Sequence, residues 1–344
     1  MKHFLNTLFV TTDGAYIRRE GDTIAVEVER ETRVRIPVHT LSGLVCFGNV
    51  LCTPALFGLC AEHGVCVSFL TEYGRFLARV EGPVRGNVLL RRAQYDASSD
   101  ESAARELTRG LVAAKLTSSR SGLRRAARDQ SDPQAQDRLS QAADRIGNVI
   151  GRCARATSLD ELRGLEGEGA KYYFEVFQAM ILTDDPAFAF EKRSRRPPMN
   201  PINAMLSFVY TLLTHDIRGA LEATGLDPAV GFLHRMRPGR PSLALDLLEE
   251  LRAYIADRLI LSLVNRRQVT AKDFHTSESG AVTMENDARK RLLVAYQERK
   301  QKEILHPFIG ETISLGLLPH VQAQLLARHL RGDLNPYPPY VWRG

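Results

Sequence analysis

The stretch Glu20-Gly21-Asp22-Thr23-Ile24-Ala25-Val26-Glu27-Val28 is a turn followed by a run that alternates apolar and polar side chains. A period of two places Ile24, Val26 and Val28 on one face of a strand, and the Gly/Asp pair supplies the entry. The same pattern spreads outward. Leu5-Asn-Thr-Leu-Phe-Val10 precedes a tight Asp13-Gly14 turn, Ala15 to Arg19 follows it, and Arg33-Val-Arg-Ile-Pro37 alternates again. Val65 to Leu70 and Gly74 to Val80 complete the strands. One helix interrupts from Thr53 to Glu62, with threonine at the cap, Pro54 in the first turn and His63-Gly64 at its end.

Gly82-Pro83 punctuates the chain, and beyond it the period changes to that of helices. Helices are expected from Asn87, over Ala103 to Leu116, and from Asp132-Pro133 to Cys153. Ser158 with Glu161 three residues later is a capping box that launches another, through Leu162, Leu165, Tyr172, Val176 and Met180. Asn203 to Leu213, Ser242 to Leu263, Glu285 to Lys302 and Leu318 to Leu330 complete the set. The fold class is therefore α+β. A β-rich N-terminal domain (1–83) precedes a larger all-helical domain (84–334) and a tail (335–344) whose prolines exclude a helix.

The 344 residues are 44% hydrophobic and 25% charged, an ordinary globular composition with enough apolar mass for two cores. No apolar run approaches membrane-spanning length, and the apolar start lacks a small-residue cleavage site, so a soluble cytoplasmic protein is expected. Cys46, Cys52, Cys60, Cys66 and Cys153 form no Cys-x-x-Cys pair and sit mostly in apolar runs, which reads as reduced core residues and not zinc ligands. The stretch from Ala103 to Arg128 holds Arg105, Arg109, Lys115, Arg120, Arg124, Arg125 and Arg128 against Glu106 alone, and so carries the whole net charge of +6. Such a stripe suits a phosphate backbone.

Three places can carry chemistry. In Arg163-Gly-Leu-Glu-Gly-Glu-Gly-Ala170, three glycines burden a helix by about 1 kcal/mol each relative to alanine. Close approach of a backbone or ligand beside Glu166 would explain them, as would a loop between two short helices. In Gly231-Phe-Leu-His-Arg-Met-Arg-Pro-Gly-Arg-Pro241, His234 lies in a turn among three arginines, whose charge favours the neutral imidazole that a metal or a proton transfer needs. On the next helix, Asp246 and Glu249 are surface neighbours, and Asp257 returns to the same side. A glutamate, a histidine and one or two acids form a set suited to magnesium or manganese. Arginines nearby point to phosphodiesters.

Taken in order, several blocks resemble a known family. They are Leu5 to Val10, Gly86-Asn-Val-Leu-Leu-Arg-Arg-Ala-Gln-Tyr95, Arg163 to Ala170, Pro201-Ile-Asn-Ala-Met-Leu-Ser-Phe-Val-Tyr210, Gly231-Phe-Leu-His234, Ser242 to Arg252, Gln322 to Arg328 and Tyr337-Pro-Pro-Tyr340. The family is the CRISPR-associated integrase and endonuclease of spacer acquisition, the near-universal adaptation subunit, here of a type I system. The resemblance covers most of the chain, and its specificity lies in the order and spacing of the blocks. It implies a homodimer built through the N-terminal domains and a magnesium or manganese ion on Glu166, His234 and Glu249, with Asp246 a supporting acid. The family commonly has aspartate where this chain has Glu249, which leaves the choice between Asp246 and Glu249 open. It often has an amide pair where this chain has Ser118-Ser119.

The implied reaction inserts a short DNA fragment as a new spacer, its 3′-hydroxyl attacking a phosphodiester at the edge of a CRISPR repeat. Lys115, Arg120, Arg235, Arg237, Arg240 and Arg252 are the expected phosphate contacts, positioning DNA without reading its sequence. The implied partners are DNA and the small second integrase subunit, for which the Pro/Tyr tail is a candidate docking segment. A tail packed on its own domain is the alternative. Two rival functions remain: a stand-alone metal-dependent nuclease acting on branched DNA, and a DNA-binding scaffold without catalysis.

Overall fold

Alternation in the N-terminal quarter resolves into two four-stranded sheets. The computed structural model describes residues 6–71, 76–80, 82 and 88–344. The domain boundary expected at 83–84, the residue Leu5 and the start of the Gly86 block lie outside the described residues. The strands are β1 (Asn6–Val10), β2 (Tyr16–Glu20), β3 (Thr23–Val28), β4 (Glu31–Pro37), β5 (Leu41–Phe47), β6 (Leu51–Cys52), β7 (Cys66–Leu70) and β8 (Phe76–Val80). One sheet runs β4-β3-β2-β6 and the other β1-β5-β7-β8. Helix α1 (Pro54–His63) packs Leu56, Leu59 and Cys60 against Ile17, Ile24 and Leu44, closing the N-terminal core. Thr53 caps it, its hydroxyl accepting from Leu56 N at 3.2 Å, and Gly64 ends it at φ 70°.

Strand β5 departs from the sequence reading, which left Leu41 to Phe47 unassigned. It pairs in parallel with both β1 and β7. A parallel strand covered on both faces is apolar throughout instead of alternating, and Leu44, Val45, Cys46 and Phe47 are all buried. Val45, Phe47 and Leu70 point the other way, into the large core of the helical domain, with Phe47 and Phe208 centroids 6.1 Å apart.

The helices are α2 (Val88–Ser99), α3 (Glu101–Asp129), α4 (Pro133–Cys153), α5 (Leu159–Glu175), α6 (Pro201–Thr224), α7 (Ser242–Arg252), α8 (Arg258–Asn265), α9 (Asn286–Gln301) and α10 (Leu318–Leu330). A π-helical turn, Ala253–Asp257, joins α7 to α8. Helix α3 runs 13 residues past the expected Leu116, carrying the arginine-rich half with it, because its apolar stripe continues through buried Leu123 and Ala127. The domain is not all helical. Two short antiparallel hairpins, Phe274–Thr276 with Val282–Met284 and Glu303–Leu305 with Thr312–Ser314, break the pattern, their turns using Gly280 and Gly310 at positive φ. Residues 335–344 fold back onto the helices, burying Tyr337, Tyr340 and Trp342. No described helix is long and apolar enough to cross a membrane.

Candidate active site

Glu166 sits in the middle of α5, which is continuous from Leu159 to Glu175, so the glycines do not open a loop. Ser158 Oγ accepts from Glu161 N at 3.2 Å, while the Glu161 carboxylate reaches Thr157 N at 2.9 Å, one residue before the expected cap. Only one of the three glycines is forced by packing. A Cβ at Gly169 would lie 2.2 Å from Leu116 Cδ2, whereas Gly164 and Gly167 face open space. Leu116 follows Lys115 on α3, so the α3–α5 approach that needs Gly169 is also the one that brings Lys115 to Glu166.

Lys115 is 3% exposed and its ammonium contacts both Glu166 Oε1 and Glu249 Oε2, the latter at 2.7 Å. Glu249, on α7, is also 3% exposed and its Oε1 accepts from Arg252 at 2.5 Å. Burial pushes the Glu249 carboxyl up, but Arg252, Lys115 and His234 outweigh it and hold the group well below the usual carboxylate range. Arg252 is in turn packed over the Tyr210 ring, 5.1 Å from its centroid. Behind it the Asp257 carboxylate accepts from Tyr210 at 2.6 Å and Tyr173 at 3.0 Å. Asp257 therefore belongs to a buried support beneath α7 and does not share a site with Asp246.

His234 lies in the loop between α6 and α7, and Asp246 organises that loop. Asp246 is fully buried; its Oδ2 accepts from Phe232 N (2.6 Å) and Leu233 N (3.1 Å), its Oδ1 from His234 N (2.9 Å). Oδ1 also lies 2.7 Å from His234 Nδ1. A carboxylate can only accept, so Nδ1 donates to it, and Nε2 is the ring nitrogen left for another partner. The loop closes this tightly because residue 231 is glycine: a Cβ there would lie 2.7 Å from Asp246 Oδ2 and from Ser242 C.

The loop-fixing roles of Arg163, Arg235 and Gln94 were not visible in the sequence. Arg163 donates to Leu233 O at 2.7 Å, and Arg235 reaches Asp160 at 2.9 Å, tying the loop to α5. Buried Gln94 on α2 donates to Asp227 O and Val230 O, both at 2.8 Å, and accepts from Asp227 N. The only signal was spacing, since Asp160, Arg163 and Glu166 follow one another every three residues on α5.

The expected phosphate contacts divide. Lys115 and Arg252 are buried partners of carboxylates, not surface cations. Arg120 is half-buried, its guanidinium against Gly147 on α4. Arg235 is exposed but paired with Asp160, Arg240 is partly exposed, and Arg237 is exposed and forms no ion pair among the described residues. In the α3 stripe, Arg105 and Arg109 donate to the carbonyls of Thr157, Cys153 and Ala156, satisfying the end of α4. Arg124, Arg125 and Arg128 remain exposed. Arg195 and Arg196, not singled out from the sequence, add an exposed basic pair just before α6.

Among the described residues, no three His, Cys, Asp or Glu side chains already close as a metal cage. The donor set nevertheless fits a hard divalent ion. A cation, the Lys115 ammonium, already stands between two carboxylates, in the place a divalent ion would take between Glu166 and buried Glu249. Asp246 has both oxygens held by backbone N–H groups of the loop, whereas Glu166 and Glu249 share the Lys115 ammonium, a cation that a metal ion could replace, so Glu166, Glu249 and His234 Nε2 are the residues that would hold it.

The chain is 56% identical over 343 residues, covering all of both chains, to a protein of Chlorobaculum tepidum named CRISPR-associated endonuclease Cas1 1. It is 52% identical, again over all of both chains, to CRISPR-associated endonuclease Cas1 2 of Rhodospirillum rubrum. Two solved structures share the fold. A casposase bound to its integration product has a TM-score of 0.81 at 24% identity, over 97% of this chain and 94% of that one. A chain of a Cas6-RT-Cas1–Cas2 complex has a TM-score of 0.83 at 21% identity, over 100% of this chain and 36% of that one. Residues 8–298 match the family described as CRISPR associated protein Cas1, and the chain belongs to that family.

Proposed function

We propose that this chain is a metal-dependent DNA integrase and endonuclease that inserts short DNA fragments into a CRISPR array. The observation that carries the reading is the pair of carboxylates, Glu166 and Glu249, drawn together around one buried cation beside an oriented imidazole. Relatives more than 50% identical are named CRISPR-associated endonucleases, which supports the reaction class.

A magnesium or manganese ion held by Glu166, Glu249 and His234 would supply Lewis acidity toward the phosphodiester and the attacking 3′-hydroxyl. The protein's own residues prepare the place. Asp246 fixes the His234 tautomer, and Arg252 orients Glu249. Lys115 balances two carboxylates that would otherwise repel. Arg237, Arg240, Arg195, Arg196 and the exposed α3 arginines Arg124, Arg125 and Arg128 would take phosphates from flanking DNA.

The proposed partners are fragment and repeat DNA, the small second subunit, and a second copy of this chain. Exposed Tyr16 and Leu51, paired on adjoining strands of the β4-β3-β2-β6 sheet, offer an apolar patch for that copy. The proposed setting is the cytoplasm, where the chromosome lies.

The test is strand transfer of a short duplex with 3′-hydroxyl ends into a supercoiled repeat plasmid, with manganese and the small partner. Wild type should form joined product, and Glu166→Ala and His234→Ala should not. Equal activity of all three would move the site elsewhere. DNA binding without joining by wild type would favour a scaffold, and cleavage of branched DNA without any repeat would favour a stand-alone nuclease.

A further inference from the structure

We propose that the C-terminal segment Asn335–Gly344 is a strap that positions the catalytic carboxylate Glu249 and its cation Lys115. The inference rests on the metal-site reading above.

The strap touches both helices that carry these residues. On α7, Glu250 is fully buried and follows Glu249 directly. Its Oε1 accepts from Tyr337 OH at 2.8 Å and its Oε2 from Tyr340 N at 2.6 Å. A third donor, Gln322 Nε2 of α10, lies 3.1 Å from Oε2 and 2.8 Å from Tyr337 OH. Gln322 is itself held by His306, 3.0 Å from its Oε1. A buried carboxylate needs such partners, and the tail supplies two of the three.

Successive helical residues point about 100° apart, so fixing Glu250 on one side of α7 fixes the direction of Glu249 on the other. The π-helical turn that follows is pinned as well. Trp342 stacks on Tyr254 at 5.2 Å, and Arg258 lies over the Trp342 ring at 4.4 Å.

On α3, Trp342 N donates to Ser118 Oγ at 3.1 Å, one turn beyond Lys115. The strap lies against two glycines of α3: a Cβ at Gly110 would be in ordinary contact with Pro339 at 3.7 Å, and one at Gly122 with Trp342 at 3.6 Å. Ser118, where the family often has an amide, is therefore a partner of the tail backbone in this chain. Glu250 and Ser118 are anchors of one segment that bridges α7 and α3, the helices carrying Glu249 and Lys115. Tyr337, Tyr340 and Trp342 are positioning residues, since none of them reaches the carboxylates Glu166 or Glu249 directly.

The experiment is calorimetric titration of Mn2+ into the full-length protein, comparing wild type with Tyr337→Phe, Trp342→Ala and Glu249→Ala, each at a temperature where it is folded. Tyr337→Phe removes one hydroxyl and leaves the ring packed. We expect Glu249→Ala to lose Mn2+ binding, and both tail variants to bind it about tenfold more weakly, the scale seen when residues supporting metal ligands are removed. Affinity of the tail variants for duplex DNA without metal should be unchanged. Unaltered Mn2+ affinity in both tail variants beside a silent Glu249→Ala overturns the strap, including the case where they melt earlier or lose the small partner. Mn2+ binding by Glu249→Ala equal to wild type overturns the metal-site reading itself. If Trp342→Ala does not fold, Tyr337→Phe decides alone.

Discussion

His234 Nδ1 and Asp246 Oδ1 lie 2.7 Å apart, and the other Asp246 oxygen holds the loop that carries the histidine. One carboxylate thus sets both the tautomer and the place of the proposed ligand. Asp246→Asn keeps the shape but puts an N–H₂ donor against backbone N–H groups or against Nδ1. We expect metal affinity and strand transfer to fall by about 10–100-fold with the fold retained. Joining rates at saturating DNA, with circular dichroism as the control, check this; wild-type rates would exclude the orienting role.

Lys115→Met removes the ammonium shared by Glu166 and Glu249. Breaking a buried ion pair from one side costs about 3–5 kcal/mol, and here it leaves two facing carboxylates. Manganese can replace the lost charge. The melting temperature without metal should fall sharply, and the rise on adding Mn2+ should exceed that of wild type. Thermal melts with and without Mn2+ measure the difference, and an equal rise in both proteins would place the metal away from Lys115.

The glycines around Glu166 should separate. Gly164→Ala and Gly167→Ala meet open space on a helix and should each stabilise by about 0.4–1 kcal/mol. Gly169→Ala runs into fully buried Leu116 and should destabilise by about 1–3 kcal/mol. Chemical denaturation of the three variants tests the ordering.

Acid stability should depend on His215. It lines a cavity with Thr7, Ser68, Asp216, Lys300 and His320. Burial, then the charge of Arg218, lowers its pKa to about 4, against Asp216, which raises it. Between about 4 and the unfolded value of 6.5 the unfolded chain binds the extra proton. Stability therefore rises with pH through that window, by at most about 1.4 kcal/mol per unit, and is level above it. His215→Gln should flatten this part of the urea-midpoint profile; an unchanged slope would assign it to other groups.

Alternation and capping made most of the N-terminal strands and the start of nearly every helix legible, because those signals are local. Strand β5 was not legible, since burial on both faces erases the period that marks a strand. The hairpins near Gly280 and Gly310 were missed for a different reason, their strands being only three residues long. At the site, Glu166, His234 and Glu249 stood out by residue type, but the division of labour did not. That Asp246 serves the loop and Lys115 the carboxylates depends on contacts between positions up to 134 residues apart, such as Lys115 with Glu249. The tail shows the same limit: its prolines exclude a helix, but only the fold reveals that Glu250 receives it.

The most direct test of the account is the anomalous scattering of manganese in crystals of the protein grown with Mn2+. The account predicts a peak bounded by Glu166, Glu249 and His234 Nε2, with the Lys115 ammonium displaced from between the two carboxylates. A peak elsewhere, or Lys115 still bridging Glu166 and Glu249 at saturating Mn2+, would contradict it.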